Sequence, residues 1–109
     1  MWFMTQFGFF SVVQKEGESD LTVRARVRVD LEELRKRYLP GLGDIREHAG
    51  TDYQYRARIS HSDLAEAMKL IVHDIDYPNF KNEVLAKQGV ARAQLYAQVW
   101  GVLWNLADA

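Results

Sequence analysis

The sequence predicts an α+β domain in the order ββαββαα, a four-stranded antiparallel sheet with its helices packed on one face. Three observations predict it. Apolar residues alternate with arginines over residues 21–29 and 53–59, the period of two that half-buried strands show. A strand-like run precedes each of these stretches, and a helical run opened by a capping residue follows each. A last, strongly apolar helical run follows Pro78.

Residues 7–15 form the first β-rich run and residues 21–29 the second. The link Glu16-Gly17-Glu18-Ser19-Asp20 is polar with one glycine, as a five-residue hairpin loop should be. In the second run Leu21, Val23, Ala25, Val27 and Val29 point one way, and Thr22, Arg24, Arg26 and Arg28 the other. Asp30 then reads as an N-cap with Glu33 completing a capping box, and the helix runs to about Tyr38 before Pro40, Gly41 and Gly43. Residues 45–48 suit a short third strand. Ala49-Gly50-Thr51-Asp52 is a turn, and in residues 53–59 Tyr53, Tyr55, Ala57 and Ile59 oppose Gln54, Arg56 and Arg58. Ser60 with Asp63 opens a second helix, whose stripe is Leu64, Ala67, Met68, Ile71, Val72 and Ile75. Pro78 interrupts, and from Phe80 the chain is helical almost to its end, with a bend near Gly89. No linker divides residues 1–109, so a single domain is expected.

Composition sets the outer limits. The 109 residues are 48% hydrophobic and 27% charged with 12% aromatics, which describes a globular chain rather than a disordered one. With no cysteine there is neither disulfide nor thiolate chemistry, which fits a cytoplasmic protein. The aromatic start at residues 1–10 lacks a basic leader and is broken by Thr5, Gln6 and Gly8, so it reads as strand rather than secretion signal. No unbroken apolar run is long enough for a membrane span. The net charge is −1, so attraction for an anion has to come from a local patch.

Lys15, Arg24, Arg26, Arg28, Arg56 and Arg58 supply that patch. If the two arginine-bearing strands share a sheet face, their guanidiniums converge, and planar forks of this kind hold phosphate bidentately. Phe9, Tyr53 and Tyr55 lie close in sequence as stacking surfaces for bases. The bland alternative is a solvated strand face kept polar against edge pairing. Ser11 interrupts the first strand with a hydroxyl, and its face depends on the register of the loop. His48, His61 and His73 are not at metal-ligand spacing, and each reads first as a surface residue and second as a general acid or base. Asp74, Asp76, Tyr77, Asn79 and Lys81 form a polar cluster that suits helix capping better than a cation site. No metal ligand set and no cofactor are expected, and GxGxxG, the P-loop, GxSxG and HExxH are absent. The last helix, with Leu95, Tyr96, Val99, Trp100, Val102, Leu103, Trp104 and Leu106, is apolar over more than half its circumference, which predicts a homodimer built on it.

Residues 2–15, Leu21-Thr22-Val23-Arg24-Ala25-Arg26, Asp52-Tyr53-Gln54-Tyr55-Arg56-Ala57 and Asp76-Tyr77-Pro78-Asn79-Phe80-Lys81 together resemble a widespread family of small hypothetical bacterial proteins. The chain is also similar to the ring nucleases of type III CRISPR antiviral defence, small homodimers that degrade cyclic oligoadenylate. That resemblance implies a metal-independent phosphodiesterase in which the substrate's own 2′-hydroxyl attacks the adjacent phosphate. On that reading the basic residues of the strands supply the site, with Lys15, Ser11 and Arg24 as catalytic groups, Lys15 at the leaving oxygen, and Arg26, Arg56, Tyr53, Tyr55 and Phe9 holding a cyclic oligonucleotide or another phosphate-bearing ligand. Two alternatives stay open: a non-catalytic nucleotide- or RNA-binding module, and a regulatory protein acting through its C-terminal helix.

Overall fold

The computed structural model describes all 109 residues, which divide into two compact units, Met1–Ile75 and Asp76–Ala109. The first is an α+β unit built on a five-stranded antiparallel sheet in the order β1-β2-β3-β5-β4. Its elements are β1 (Trp2–Thr5), β2 (Gly8–Val13), β3 (Leu21–Ala25), α1 (Arg28–Arg37), β4 (Arg46–Glu47), β5 (Tyr55–Ile59) and α2 (His61–His73).

The fifth strand corrects the expectation of four. Residues 1–13 fold back on themselves, with Thr5 opposite Gly8 across the two-residue turn Gln6-Phe7. Neither Gln6 nor Phe7 has a positive φ, so the turn lacks the Asn-Gly or Asp-Gly signature by which tight hairpins are read. The Thr5 hydroxyl does the work instead, accepting from the N–H groups of Phe7 at 3.2 Å and Gly8 at 3.1 Å. The next loop needs Gly17 at φ +80°, and there Glu18 N–H donates to the Lys15 carbonyl.

The second correction concerns Asp30. Helix α1 begins at Arg28 behind Val27, which caps nothing with its side chain, so Asp30 lies inside the first turn. Its buried carboxylate accepts the backbone N–H of Phe9 at 3.0 Å, beyond the last β2–β3 pair, Ser11 with Arg24. The arginine-bearing strand therefore stops at Ala25. Val27 and Val29 are exposed, and Arg28 sits on the helix, paired with Glu32.

One sheet face carries the core. Phe10, Val12, Val23, Ala25, Ala57 and Ile59 pack with Leu31 and Leu34 of α1 and with Leu64, Ala67 and Ile71 of α2. Helix α2 starts as expected, the Ser60 hydroxyl accepting from Asp63 N–H at 3.1 Å. Val72 of its expected stripe stays exposed, and Ile75, also exposed, lies past the end of the helix. At the far end Tyr38 donates its hydroxyl to the Asp74 carboxylate at 2.6 Å. Burial, then that hydrogen bond and the Asp74 charge, push the hydroxyl up from 10 to about 12. The folded state thus favours the neutral phenol, which adds stability below pH 10 that is lost as pH rises through about 12. Tyr38→Phe should cost about 1 kcal/mol near neutrality. In thermal melts the gap to the unsubstituted protein should close between pH 10 and 12.

The second unit is a helical hairpin, α3 (Phe80–Gln88) and α4 (Val90–Leu103), followed by a 3₁₀ turn at Trp104–Asp108. Asn79 caps α3, accepting from Asn82 N–H at 2.9 Å. The expected bend at Gly89 is a full break, with Gly89 at φ +92° and ψ 176°. The hairpin closes by stacking Phe80 on Tyr96, centroids 6.4 Å apart, and by the Lys81 ammonium 4.2 Å above the Trp100 ring. A Cβ on Gly89 would touch nothing within 4 Å, so the cost of Gly89→Ala is purely conformational. It should be about 1–2 kcal/mol by urea unfolding, and an unchanged midpoint would contradict the strained backbone.

Candidate anion-binding face

The face opposite α1 and α2 carries a row of residues set directly across from one another. Trp2 pairs with Ser11, Ser11 with Arg24, Arg24 with Arg56, and Arg56 with Arg46. Three arginines thus occupy adjacent positions on β3, β5 and β4. Directly opposite side chains start about 5 Å apart, and like charges there destabilise a sheet.

Each arginine of the row is handled differently. Arg24 lies along the sheet, donating to the Ser11 hydroxyl at 2.7 Å, with its guanidinium 4.6 Å from the Tyr53 ring centroid. Its Nε and the Tyr53 hydroxyl are buried with no hydrogen-bond partner in the protein. Arg56 donates from Nε to the Tyr53 carbonyl at 3.1 Å, and only a long 3.9 Å contact links it to Asp52. Arg46 is exposed at the sheet edge.

Beside Arg56 a cleft of about 240 Å³ opens, lined by Lys15, Arg46, Arg56 and Arg58 with His48, against the two carboxylates of Glu18 and Asp44. Four cations face two anions, so the cleft is electropositive although the chain is not. Arg58 is held by Glu18 at 3.6 Å and Asp20 at 3.9 Å, but these pairs are half-exposed and worth little, so an incoming anion can take the guanidinium. Arg35 of α1 donates to the Leu42 and Gly43 carbonyls, and Gly43 N–H donates to the Arg58 backbone carbonyl at 2.9 Å, which fixes the cleft's rim.

The structure regroups the residues singled out from the sequence. Lys15 and Arg56 line the cleft; Ser11 and Arg24 do not. Ser11 shares the arginine face but is only 1% exposed, and its hydroxyl already accepts from Arg24. Arg26 lies past the end of β3, its guanidinium 4.5 Å from the Tyr53 ring and donating to the Asp52 carbonyl at 2.7 Å. Tyr53 precedes β5 and departs from the strand alternation, its buried ring meeting both Arg24 and Arg26. Tyr55 goes the other way and packs against the core, so it offers no stacking surface on the arginine face. Phe9 is half-buried on that face, 5.9 Å from the ring of Trp2, which is 71% exposed.

Sequence reasoning missed Arg46 and Trp2, and it weighed His48 only as one of three histidines without placing it beside Lys15. Strand β4 has two residues, too few to show a period, and its register against β5 carried the only signal. Asp74 and Asn79 act as local partners, Asp74 of Tyr38 and Asn79 of the α3 N-terminus. No helix is long and apolar enough to cross a membrane. Comparison with protein-family models, with curated proteins and with solved structures gives no match, so the chemistry rests on the geometry of this face.

Proposed function

We propose that the cleft beside Arg56 binds phosphate of a nucleotide or oligonucleotide ligand, and that the protein does so in the cytoplasm. The observation that carries this reading is the pairing of Arg56 with Arg46 in directly opposed strand positions, with Lys15 and Arg58 lining the same cleft. Like charges set opposite one another cost stability, and an anion between them reverses the sign of that interaction. The volume limits the ligand's fit. At about 240 Å³ the cleft is smaller than the roughly 300–1,000 Å³ of sites that enclose a whole small molecule. It suits one phosphate and its ester arms, with the rest of the ligand lying on the sheet face toward Phe9 and Trp2. Titration of a fluorescent oligoadenylate at several salt concentrations tests this. Binding that weakens steeply with salt supports the reading, and no binding at low salt sinks it.

A second reading is cleavage, and one observation favours it: His48 lines the cleft together with Lys15. In a cyclic oligoadenylate the 2′-hydroxyl would attack the adjacent phosphorus, its proton passing to the His48 imidazole. The bond from phosphorus to the 5′-oxygen would break, Lys15 returning a proton to that oxygen and leaving a 2′,3′-cyclic phosphate. Relative to the roles expected from the sequence, this keeps Lys15 as a catalytic group, gives phosphate binding to Arg46 and Arg56, and leaves Ser11 and Arg24 to hold the sheet face. Incubating cyclic tri-, tetra- and hexa-adenylate in EDTA decides it. Linear products ending in cyclic phosphate, lost in His48→Ala while binding persists, are expected; intact rings at high protein concentration leave binding alone.

A further inference from the structure

We infer that the exposed seam of the C-terminal helix, Leu95, Val99 and Val102 continued by Leu106, is the contact surface for a second copy of this chain. Helix α4 has two apolar sides, and only one is used within the hairpin. Tyr96 stacks on Phe80 and Trp100 lies under Lys81, so that side faces α3. Leu95, Val99 and Val102 lie about 100° round the helix from it, since each residue advances the helix by that angle. Their spacing of four then three is the repeat by which helices interlock side chains along a shared seam. Leu106 follows in the 3₁₀ turn, where side chains three apart eclipse, so it stacks on Leu103 next to Val102 and widens the seam at its end.

The four seam residues are 39–69% exposed, Leu103 and Trp104 beside them similarly so. Together these six leave about 400 Å² of apolar surface per copy, taking roughly 100 Å² for each aliphatic and 200 Å² for the tryptophan. Flanking Gln94, Gln98 and the backbone bring a symmetric pair to the ~1,000 Å² a specific interface needs.

Charge selects the occupant. Residues 93–107 contain no Asp, Glu, Lys or Arg. A helix that lies on a lipid surface carries a cationic polar face, which this stretch lacks, and a charge-guided protein partner would find nothing to pair with. An uncharged seam with a repeating 4–3 spacing is complementary to itself, as a twofold contact requires. The inference is independent of the phosphate cleft, because no residue of the seam belongs to it.

Sedimentation equilibrium of the full chain at micromolar concentrations should give twice the 12.6 kDa monomer mass. Val102→Asp should raise the dimer dissociation constant at least 100-fold without changing the circular dichroism spectrum, because Val102 is exposed within its own chain. The chain has no cysteine, so Val102→Cys supplies a unique thiol. Mild oxidation should link it into a covalent dimer, and a Glu32→Cys control should stay single. A monomeric wild-type chain, a dimer indifferent to Val102→Asp, equal cross-linking of the control, or monomer binding to phosphatidylcholine vesicles would each overturn the inference.

Discussion

Arg56→Ala is expected to weaken binding of a phosphate-bearing oligonucleotide by about 10- to 100-fold while leaving the fold intact. Arg56 is the member common to both halves of the face, opposite Arg24 in the row and a wall of the cleft. A guanidinium donating to an ionised oxygen is worth about 1.5–3 kcal/mol, or one to two powers of ten in affinity. Removing it also removes a like-charge neighbour from Arg24 and Arg46, so stability should hold or rise slightly. The slope of log affinity against log salt should fall by about one, the signature of one lost phosphate contact. Arg24→Ala separates the roles. Its guanidinium is committed to Ser11 and Tyr53, so its loss strips the buried Ser11 hydroxyl of its donor and should cost about 1–3 kcal/mol of stability. Equal effects of the two substitutions on affinity, with no difference in stability, would remove the distinction drawn between a binding and a structural arginine. Fluorescence anisotropy paired with urea unfolding measures both.

That distinction marks the limit of what the residues reveal before the fold is known. Alternation on residues 21–25 and 55–59 is enough to put Arg24 and Arg56 on one face, because side-chain direction in a strand is a local property. Which arginine is free depends on Tyr53 and Ser11, whose positions follow from register and from the turn at residues 48–54. Arg46 joins the row only through its pairing with Arg56, a contact ten residues apart in sequence with no pattern of its own. Tyr55 was legible as strand but not as core, since alternation fixes two faces without saying which one the helices cover. The same limit applies to the ends of elements. Ser60 caps α2 as its sequence suggests because nothing else competes for its hydroxyl, whereas Asp30 answers to a strand 21 residues away.

Asp30→Ala should therefore cost about 3 kcal/mol, well above the ~1 kcal/mol that removal of a helix N-cap would predict. The carboxylate is buried, and it accepts the Phe9 N–H at the point where β3 has already turned away from β2. Alanine leaves that N–H without its charged acceptor, a loss of about 1.5–3 kcal/mol, and opens a small void beside the strand. The contact is close: a Cβ built on Gly8 would stand 3.0 Å from both Cβ and Cγ of Asp30, so the β2 backbone runs directly against this side chain. Helix polarity adds to the effect, because a carboxylate in the first turn of α1 meets the positive end of the helix dipole. Asp30→Asn keeps the shape and one acceptor oxygen while giving up the charge, and it should lose only about 1 kcal/mol. Urea unfolding of the three proteins measures the ladder from Asp to Asn to Ala. A loss of 1 kcal/mol or less in Asp30→Ala would return Asp30 to an ordinary helix-terminal role. A loss near 3 kcal/mol would make it the residue that fastens α1 to β2, at the strand that carries Phe9 and Ser11 onto the arginine face.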